Sequence, residues 1–389
     1  MGAGPAGLAA ALALHEQSTE SSPIRVTVLE LRPSIQTLGG AVNLTPLAMR
    51  YLDALGVGSR LRPLGVKVNY INMFSHRTGS SLGRLWPNVD AIRVLRQNLV
   101  EAMVQTARAV PGDRVILRYG AKVTCIEQFG DASGEGAVKI HFTDTATGRE
   151  ETIEGDLIIG CDGIHSFVRS SLVDPDRRKT YSGRATAYGF IPVSKPGDAG
   201  IAAADGSPAV SVSTLVTGQL GSLLVTFFEP SLRKLYLATV IARPEKADGP
   251  DGKRATGEDK EVVQQDFLRR FRGGKLVGLE EAVKRCEEWM PPQGESTGVA
   301  IEDGMLLARV FSRRDTRSVA QMLADYEVLR RPVIKKTYDE SMFRWERVGD
   351  KSWLGIVVME WFSMLYIWIM NSWSKDNFGR DVRTLDLPA

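Results

Sequence analysis

The apolar positions of this 389-residue chain change period along its length. In the first part, helical and extended patterns alternate. "LAAALALHEQ" is a strong helix former, and "RVTVLE" after it predicts a strand ending in an acid, Glu30. "LTPLAMRYLDALGVG" predicts a helix with Thr45 as N-cap and Pro46 at its first position. Its apolar stripe is Ala48, Tyr51, Leu52 and Leu55, and Gly56 stops it. "VLRQNLVEAMVQTA" predicts another, with Leu95, Leu99 and Met103 on one face. Val138, Ile140 and Phe142 then alternate ahead of the turn "TDTATGRE", which predicts a hairpin, and Leu157, Ile158 and Ile159 make a buried-strand run.

From about residue 173 to 285 this alternation gives way. "LLVTFFEP" and "KLYLATVIARP" predict strands, and a polar loop rich in Gly and Pro leads into a helix carrying Val263, Phe267 and Phe271. That is the pattern of a second domain, an antiparallel sheet with attendant helices. The last apolar stretch, "WLGIVVMEWFSMLYIWIM", carries Trp353, Trp361 and Trp368, with Trp373 just beyond. Its length reaches the lower edge of a membrane span. Glu360 lies near its middle, where a carboxylate costs about 2.5–3.5 kcal/mol on insertion scales. A helix covering the second domain, an interfacial membrane helix and a span are the three readings.

Composition narrows the function classes. Hydrophobic residues make up 43% and charged residues 24%, as in folded soluble proteins. The 49 Lys and Arg against 46 Asp and Glu leave a net charge of +3 with no long basic run, which argues against nucleic acid as a partner. Cys125, Cys161 and Cys286 are far apart and lack metal-ligand spacing. They point to a reducing, cytoplasmic compartment with neither a disulfide framework nor a metal site. The apolar N-terminus has no basic n-region and reads as part of the folded protein.

Candidate chemistry begins at Gly2, Gly4 and Gly7, which spell G-x-G-x-x-G directly before the first helix. In dinucleotide sites the first glycine permits the tight turn, and the second lets the backbone approach a pyrophosphate. The third allows close helix packing, and the helix N-terminus stabilises the phosphate charge. Glu30 ends the next strand, where a carboxylate accepts hydrogen bonds from an adenosine ribose. The competing reading is a Gly-rich turn before an Ala-rich core helix. A central strand is expected ahead of such a motif, so either another segment fills that place or the chain is incomplete. Further on, Asp162, Gly163, Ser166 and Arg169 crowd the carboxyl end of the 157–159 run, where α/β folds bind ligands.

Three stretches together resemble one family: "GAGPAGLAAALAL" with Glu30, "CDGIHSFVRSSL", and "PPQGESTGVAIEDGMLLA". They are similar to the FAD-dependent aromatic hydroxylases and epoxidases of the para-hydroxybenzoate hydroxylase type, in an order that covers nearly the whole chain. Arg96-Gln97-Asn98-Leu99 matches that family's R-x-x-L, and "YEVLRRP" its later Y-x-x-x-R-x-P helix. The resemblance implies an α/β fold with a Rossmann-like FAD-binding domain, discontinuous over 1–172 and 289–345. An antiparallel-sheet substrate domain is inserted over 173–288, and a C-terminal helical tail covers 346–389.

By the same resemblance, Gly2, Gly4 and Gly7 lie at the FAD pyrophosphate, Glu30 on the ribose and Arg96 near the diphosphate–ribityl chain. Asp162 with Gly163 serves FAD and the reduced nicotinamide cofactor, Arg169 braces Asp162, and Pro291 and Gly294 lie beside the isoalloxazine. The family's Gly-Asp segment is absent between Gly274 and Pro291, and Ser296 stands where glycine is common.

The implied function is FAD-dependent monooxygenation of a small aromatic or lipophilic substrate. NAD(P)H reduces FAD, and O2 supplies one oxygen atom for hydroxylation or epoxidation. No general base is apparent, since His15, His76, His141 and His165 form no catalytic grouping. The alternatives are a catalytically impaired homologue that binds flavin poorly and a flavin dehydrogenase or oxidase on the same fold. Contact with a membrane surface through residues 353–373 is a further expectation.

Overall fold

The computed structural model describes residues 1–36, 40–130, 136–177, 180, 184–242, 257–286, 288–290, 297–346, 351–373 and 378–388. It opens with α1 (Pro5–Glu16), β1 (Val26–Glu30), β2 (Ala41–Leu44), α2 (Pro46–Ala54) and the short α3 (Gly58–Leu61). Strands β3 (Val66–Val68), β4 (Ile71–Ser75), β5 (Ser81–Leu85) and β6 (Ala91–Leu95) precede α4 (Arg96–Arg108). Then come β7 (Val115–Tyr119), β8 (Ala121–Gly130), β9 (Gly136–Asp144), β10 (Glu150–Gly155), β11 (Arg184–Pro192), β12 (Ser213–Gly218), β13 (Gly221–Phe227) and β14 (Lys234–Ala242). The rest is α5 (Gly257–Phe271), α6 (Leu279–Lys284), β15 (Glu288–Met290), α7 (Thr297–Phe311), α8 (Val319–Glu346) and α9 (Trp353–Trp373).

Local chemistry accounts for the first unit. α1 is apolar on every side and buried from Leu8 to Leu14, so it is a core helix and not a surface one. It packs directly on α7, where a Cβ added at Gly304 would lie 2.6 Å from the Ala10 nitrogen. α2 forms as its pattern predicts: Thr45 Oγ1 accepts from the Ala48 amide at 3.3 Å, Pro46 follows, and Gly56 turns the chain at φ +73°. Thr45→Ala is expected to cost about 1 kcal/mol, the usual value of an N-cap, read as a lower urea midpoint with an unchanged slope. Beneath these helices β1 and β7 pair in parallel, Glu30 opposite Tyr119.

The second unit is a seven-stranded sheet ordered β15-β11-β14-β13-β12-β4-β5. It is antiparallel except that β4 joins β12 in parallel, Asn72 opposite Thr214. The sheet therefore crosses the boundary expected at residue 172, because the ladder groups of the β4–β5 hairpin find their partner in β12. Val263, Phe267 and Phe271 on α5 are buried against it, as the helical spacing predicts.

One expectation is corrected. Residues 157–159 form no strand: Leu157 and Ile159 stay half-buried against the core, and among the described residues no strand pairs with the run. The Met1 amino group donates to the Ile159 oxygen at 2.6 Å, and Cys161 N donates to the Met1 oxygen at 2.8 Å. Gly2 N donates to the Leu29 oxygen at 2.8 Å. Two residues bridge the gap between β1 and this run without making a ladder. After Asp162 come a 3-10 turn at Gly163–His165 and a helical turn at Phe167–Val168 that runs on as a π-type turn at Arg169–Val173. Ser166 Oγ caps it by accepting from Arg169 N at 3.0 Å, and the Asp162 carboxylate takes the amides of Phe167 and Val168 at 2.6 and 3.3 Å.

α9 lies along the edge strand β5. Lys351 N donates to the Gln219 oxygen at 3.0 Å, and Asn371 Nδ2 donates to the Arg84 oxygen at 2.8 Å. Among the described residues no helix is long and apolar enough to cross a membrane.

Candidate functional site

The start of α1, the end of β1 and the start of α4 meet around a cleft of about 120 Å3, whose walls include Ala3, Gly4, Glu30, Arg32, Arg96 and Tyr119. The three glycines have three different roles there. Gly2 sits at φ +95°, and a Cβ on it would lie 2.4 Å from the Cys161 oxygen. A Cβ on Gly7 would lie 1.9 Å from the Gly2 oxygen, so helix and turn touch backbone to backbone. Gly4 has nothing within 4 Å of its Cβ position and leaves the cleft open above it. It is also the N-cap of α1 and supplies no side-chain cap. The first-turn amides therefore present the positive end of the helix uncovered by a capping side chain.

Glu30 accepts from Ala3 N at 2.8 Å and from Arg32 N at 3.0 Å. Its carboxylate thus fixes the glycine turn while it lines the cleft. Arg96 is half-buried, donates its backbone amide to the Gly40 oxygen at 3.1 Å and lines the same cleft. Its guanidinium makes no ion pair with any described residue. The Tyr119 hydroxyl is buried without a hydrogen-bond partner among the described residues, and burial pushes the phenol's pKa up, so it stays neutral and able to donate. A half-buried cation, an orphaned phenol and an uncapped helix end fit an anionic ligand bearing hydroxyls, the chemistry of a diphosphate and a ribose.

Arg32 and Tyr119 were not singled out in the sequence. Arg32 carries a signal, two residues beyond Glu30. Tyr119 carries none, since only the parallel register of β7 on β1 brings it there.

Asp162 belongs to a second group, next to the first. Its Cα would be 3.1 Å from a Cβ on Gly2. One oxygen accepts from Ser166 Oγ at 2.5 Å and the other from the amides already described. Gly163 has φ +78°, a conformation that favours glycine. Arg169 donates to the Ile164 oxygen at 3.2 Å, within the loop that carries Asp162. His165 is exposed. Burial pushes the Cys161 thiol up, away from thiolate character. Pro291 and Gly294 lie outside the described residues.

Where the two units meet, Tyr188, Phe190, Phe228 and Tyr236 form an aromatic cluster on the large sheet against Ala41. Phe190 and Phe228 have ring centroids 5.2 Å apart, and Tyr188 and Tyr236 5.5 Å apart. A Cβ on Gly40 would fall 2.1 Å from the Tyr236 ring, so that glycine admits the aromatic wall.

Residues 1–192 match the family described as the FAD binding domain. The curated relatives of the chain are FAD-dependent monooxygenases that act on small aromatic compounds. Among them, 6-hydroxynicotinate 3-monooxygenase of Pseudomonas fluorescens is 25% identical over 385 residues, covering 91% of this chain and 92% of that protein. Salicylate hydroxylase of Pseudomonas putida is 26% identical and covers 85% and 80%. In fold the chain is similar to Klebsiella pneumoniae HpxO, solved with FAD and uric acid, at a TM-score of 0.69 and 19% identity over 95% of this chain and 94% of that one. The monooxygenase fold is thus present along nearly the whole chain, with FAD as its cofactor.

Proposed function

We propose that this monooxygenase uses NAD(P)H and O2 to hydroxylate or epoxidise a small aromatic or lipophilic substrate, and that the cleft at α1 holds the adenosine–diphosphate part of FAD. FAD supplies the oxygen-transfer chemistry when bound. The chain's own residues bind and orient it. Gly2 and Gly7 set the turn, while Gly4 and the α1 N-terminus receive the pyrophosphate. Arg96 balances the pyrophosphate charge, and Glu30 and Tyr119 meet the ribose. Asp162 and Gly163 hold the adjoining loop with Arg169, and Pro291 and Gly294 are assigned to the flavin ring. We take residues 1–172 and 289–345 as the FAD-binding unit except for β4 and β5, which act with 173–288 on the substrate side. The aromatic cluster of Tyr188, Phe190, Phe228 and Tyr236 offers planar faces for an aromatic substrate and excludes water.

The observation that carries this reading is Arg96, a half-buried cation without a described carboxylate partner, beside an uncapped helix end. The first measurement is bound flavin per chain after free FAD is removed. Arg96→Ala is expected to weaken FAD about tenfold, the lower range for a lost charge-assisted hydrogen bond, with an unchanged melting midpoint of the flavin-free protein. An unaltered FAD affinity would take the cleft out of the reading. A chain that retains no flavin would favour the impaired homologue. Isotopic oxygen from O2 in the product separates a monooxygenase from a dehydrogenase or oxidase.

A further inference from the structure

The surface that the flavin chemistry leaves unexplained is the outer side of α9. Ile356, Glu360 and Ile367 face the sheet and are 1%, 4% and 5% exposed. Glu360 is the helix's one ionisable acid or base of the Asp, Glu, Lys and Arg kind. Its carboxylate accepts from the Ser75 hydroxyl and, at 2.5 Å, from Arg77. The charge is therefore turned inward and paired, the reverse of an ordinary surface helix. Outward point Trp353, Leu354, Trp361, Phe362 and Trp368, each more than 60% exposed. Soluble surfaces seldom leave so many large apolar side chains contiguous and open unless something covers them.

Charge and ring chemistry decide what that is. A bilayer needs no complementary surface and accepts tryptophan rings at its headgroup level. On the β4–β5 hairpin against which α9 lies, Arg77 is taken by Glu360, while Arg84 is left to face solvent, and no acid lies between Ser75 and Trp86. Arg84 is exposed and lies over the Tyr70 ring at 4.5 Å, and Lys351 stands just before the helix. A basic border beside an uncharged aromatic face matches anionic headgroups above acyl chains.

We propose that α9 is an interfacial helix that seats the enzyme on an anionic phospholipid surface, with Glu360 and its partners Ser75 and Arg77 holding the apolar face outward. The proposal is independent of the flavin site, because binding is measured without turnover. The full-length protein is floated with vesicles of phosphatidylcholine alone and of phosphatidylcholine mixed with phosphatidylglycerol. Tryptophan emission is followed with brominated phosphatidylcholine as quencher. The expected result is flotation with the mixed vesicles, weaker flotation with the neutral ones, and quenching.

The combined variant Trp361→Ser, Phe362→Ser and Leu365→Ser is expected to lower partitioning by about tenfold or more, because it removes apolar area from the inserted face. These side chains face solvent, so its circular dichroism and melting midpoint should stay those of the parent. Failure of the parent to bind mixed vesicles overturns the proposal. So does light scattering that reports a dimer which the same three substitutions dissociate, since a second copy would then be the cover.

Discussion

Arg330→Ala is expected to lower folding stability by about 3–5 kcal/mol, the cost of leaving buried charges without their partner. Arg330 lies on α8 and is 4% exposed. Its guanidinium reaches Glu302 and Asp303 at 2.5 Å each and the Val299 oxygen at 3.0 Å, all on α7. Glu302, itself 6% exposed, also accepts from Tyr51 on α2 at 3.4 Å. The same Tyr51 hydroxyl accepts from Val382 N at 3.0 Å. One arginine thus ties together α8, α7, α2 and the C-terminal segment. Three acceptors in a fork suit a guanidinium and not an ammonium, so Arg330→Lys should recover little.

The pH dependence has a definite sign. Burial already pushes the Asp303 carboxyl above its ordinary value, against the pull of Arg330. Without Arg330 it rises further. An acid with a raised folded-state pKa binds its proton more tightly when folded, so the deficit of the variant against the parent narrows as the pH falls from about 7 towards 5. Urea titrations at both pH values measure it. A deficit below about 1 kcal/mol, the range of a surface ion pair, would contradict the buried network.

Much of this architecture is legible in the sequence because it is written locally. The N-cap of α2, its Gly56 stop and the α5 stripe of Val263, Phe267 and Phe271 each depend on residues within a few positions of one another. What eludes a local reading is pairing at a distance. Nothing near Ile71 announces that β4 will align in parallel with a strand over a hundred residues later. Likewise the run 157–159 has strand composition, but a strand also needs a ladder partner, and among the described residues no strand pairs with it.

The site divides in the same way. Gly2, Gly4, Gly7 and Glu30 lie on one short loop–helix–strand unit, so their spacing encodes their meeting. Arg96 and Tyr119 arrive on separate elements, and Tyr119 could be found only through register. The Asp162 carboxylate, expected at the cofactor, accepts from Ser166 Oγ and Phe167 N within its own loop, contacts that its position at the end of an apolar run does not announce.

Gly7→Ala sets two backbone effects against each other, and their magnitudes decide the result. In a helix interior alanine is favoured over glycine by about 0.8–1.0 kcal/mol, so propensity alone predicts a more stable protein. Here the new Cβ would fall 1.9 Å from the Gly2 oxygen and 3.1 Å from its carbonyl carbon. Neither is the end of a flexible side chain. Relief requires moving the Gly2 turn, which is pinned by Leu29 through its amide and by Cys161 against its own Cβ direction. Overpacking costs about 1–3 kcal/mol where side chains can adjust, and a contact between fixed backbones lies at or beyond the top of that range. The clash therefore wins, with an expected net loss near 3 kcal/mol and, because the displaced turn forms the floor of the cleft, loss of FAD binding as well. Gly4→Ala supplies the contrast, since its Cβ meets nothing within 4 Å and its φ of −77° suits any residue. It should keep the stability of the flavin-free chain while weakening FAD. Equal melting midpoints for the two variants would mean that the Gly7–Gly2 contact does not constrain this loop.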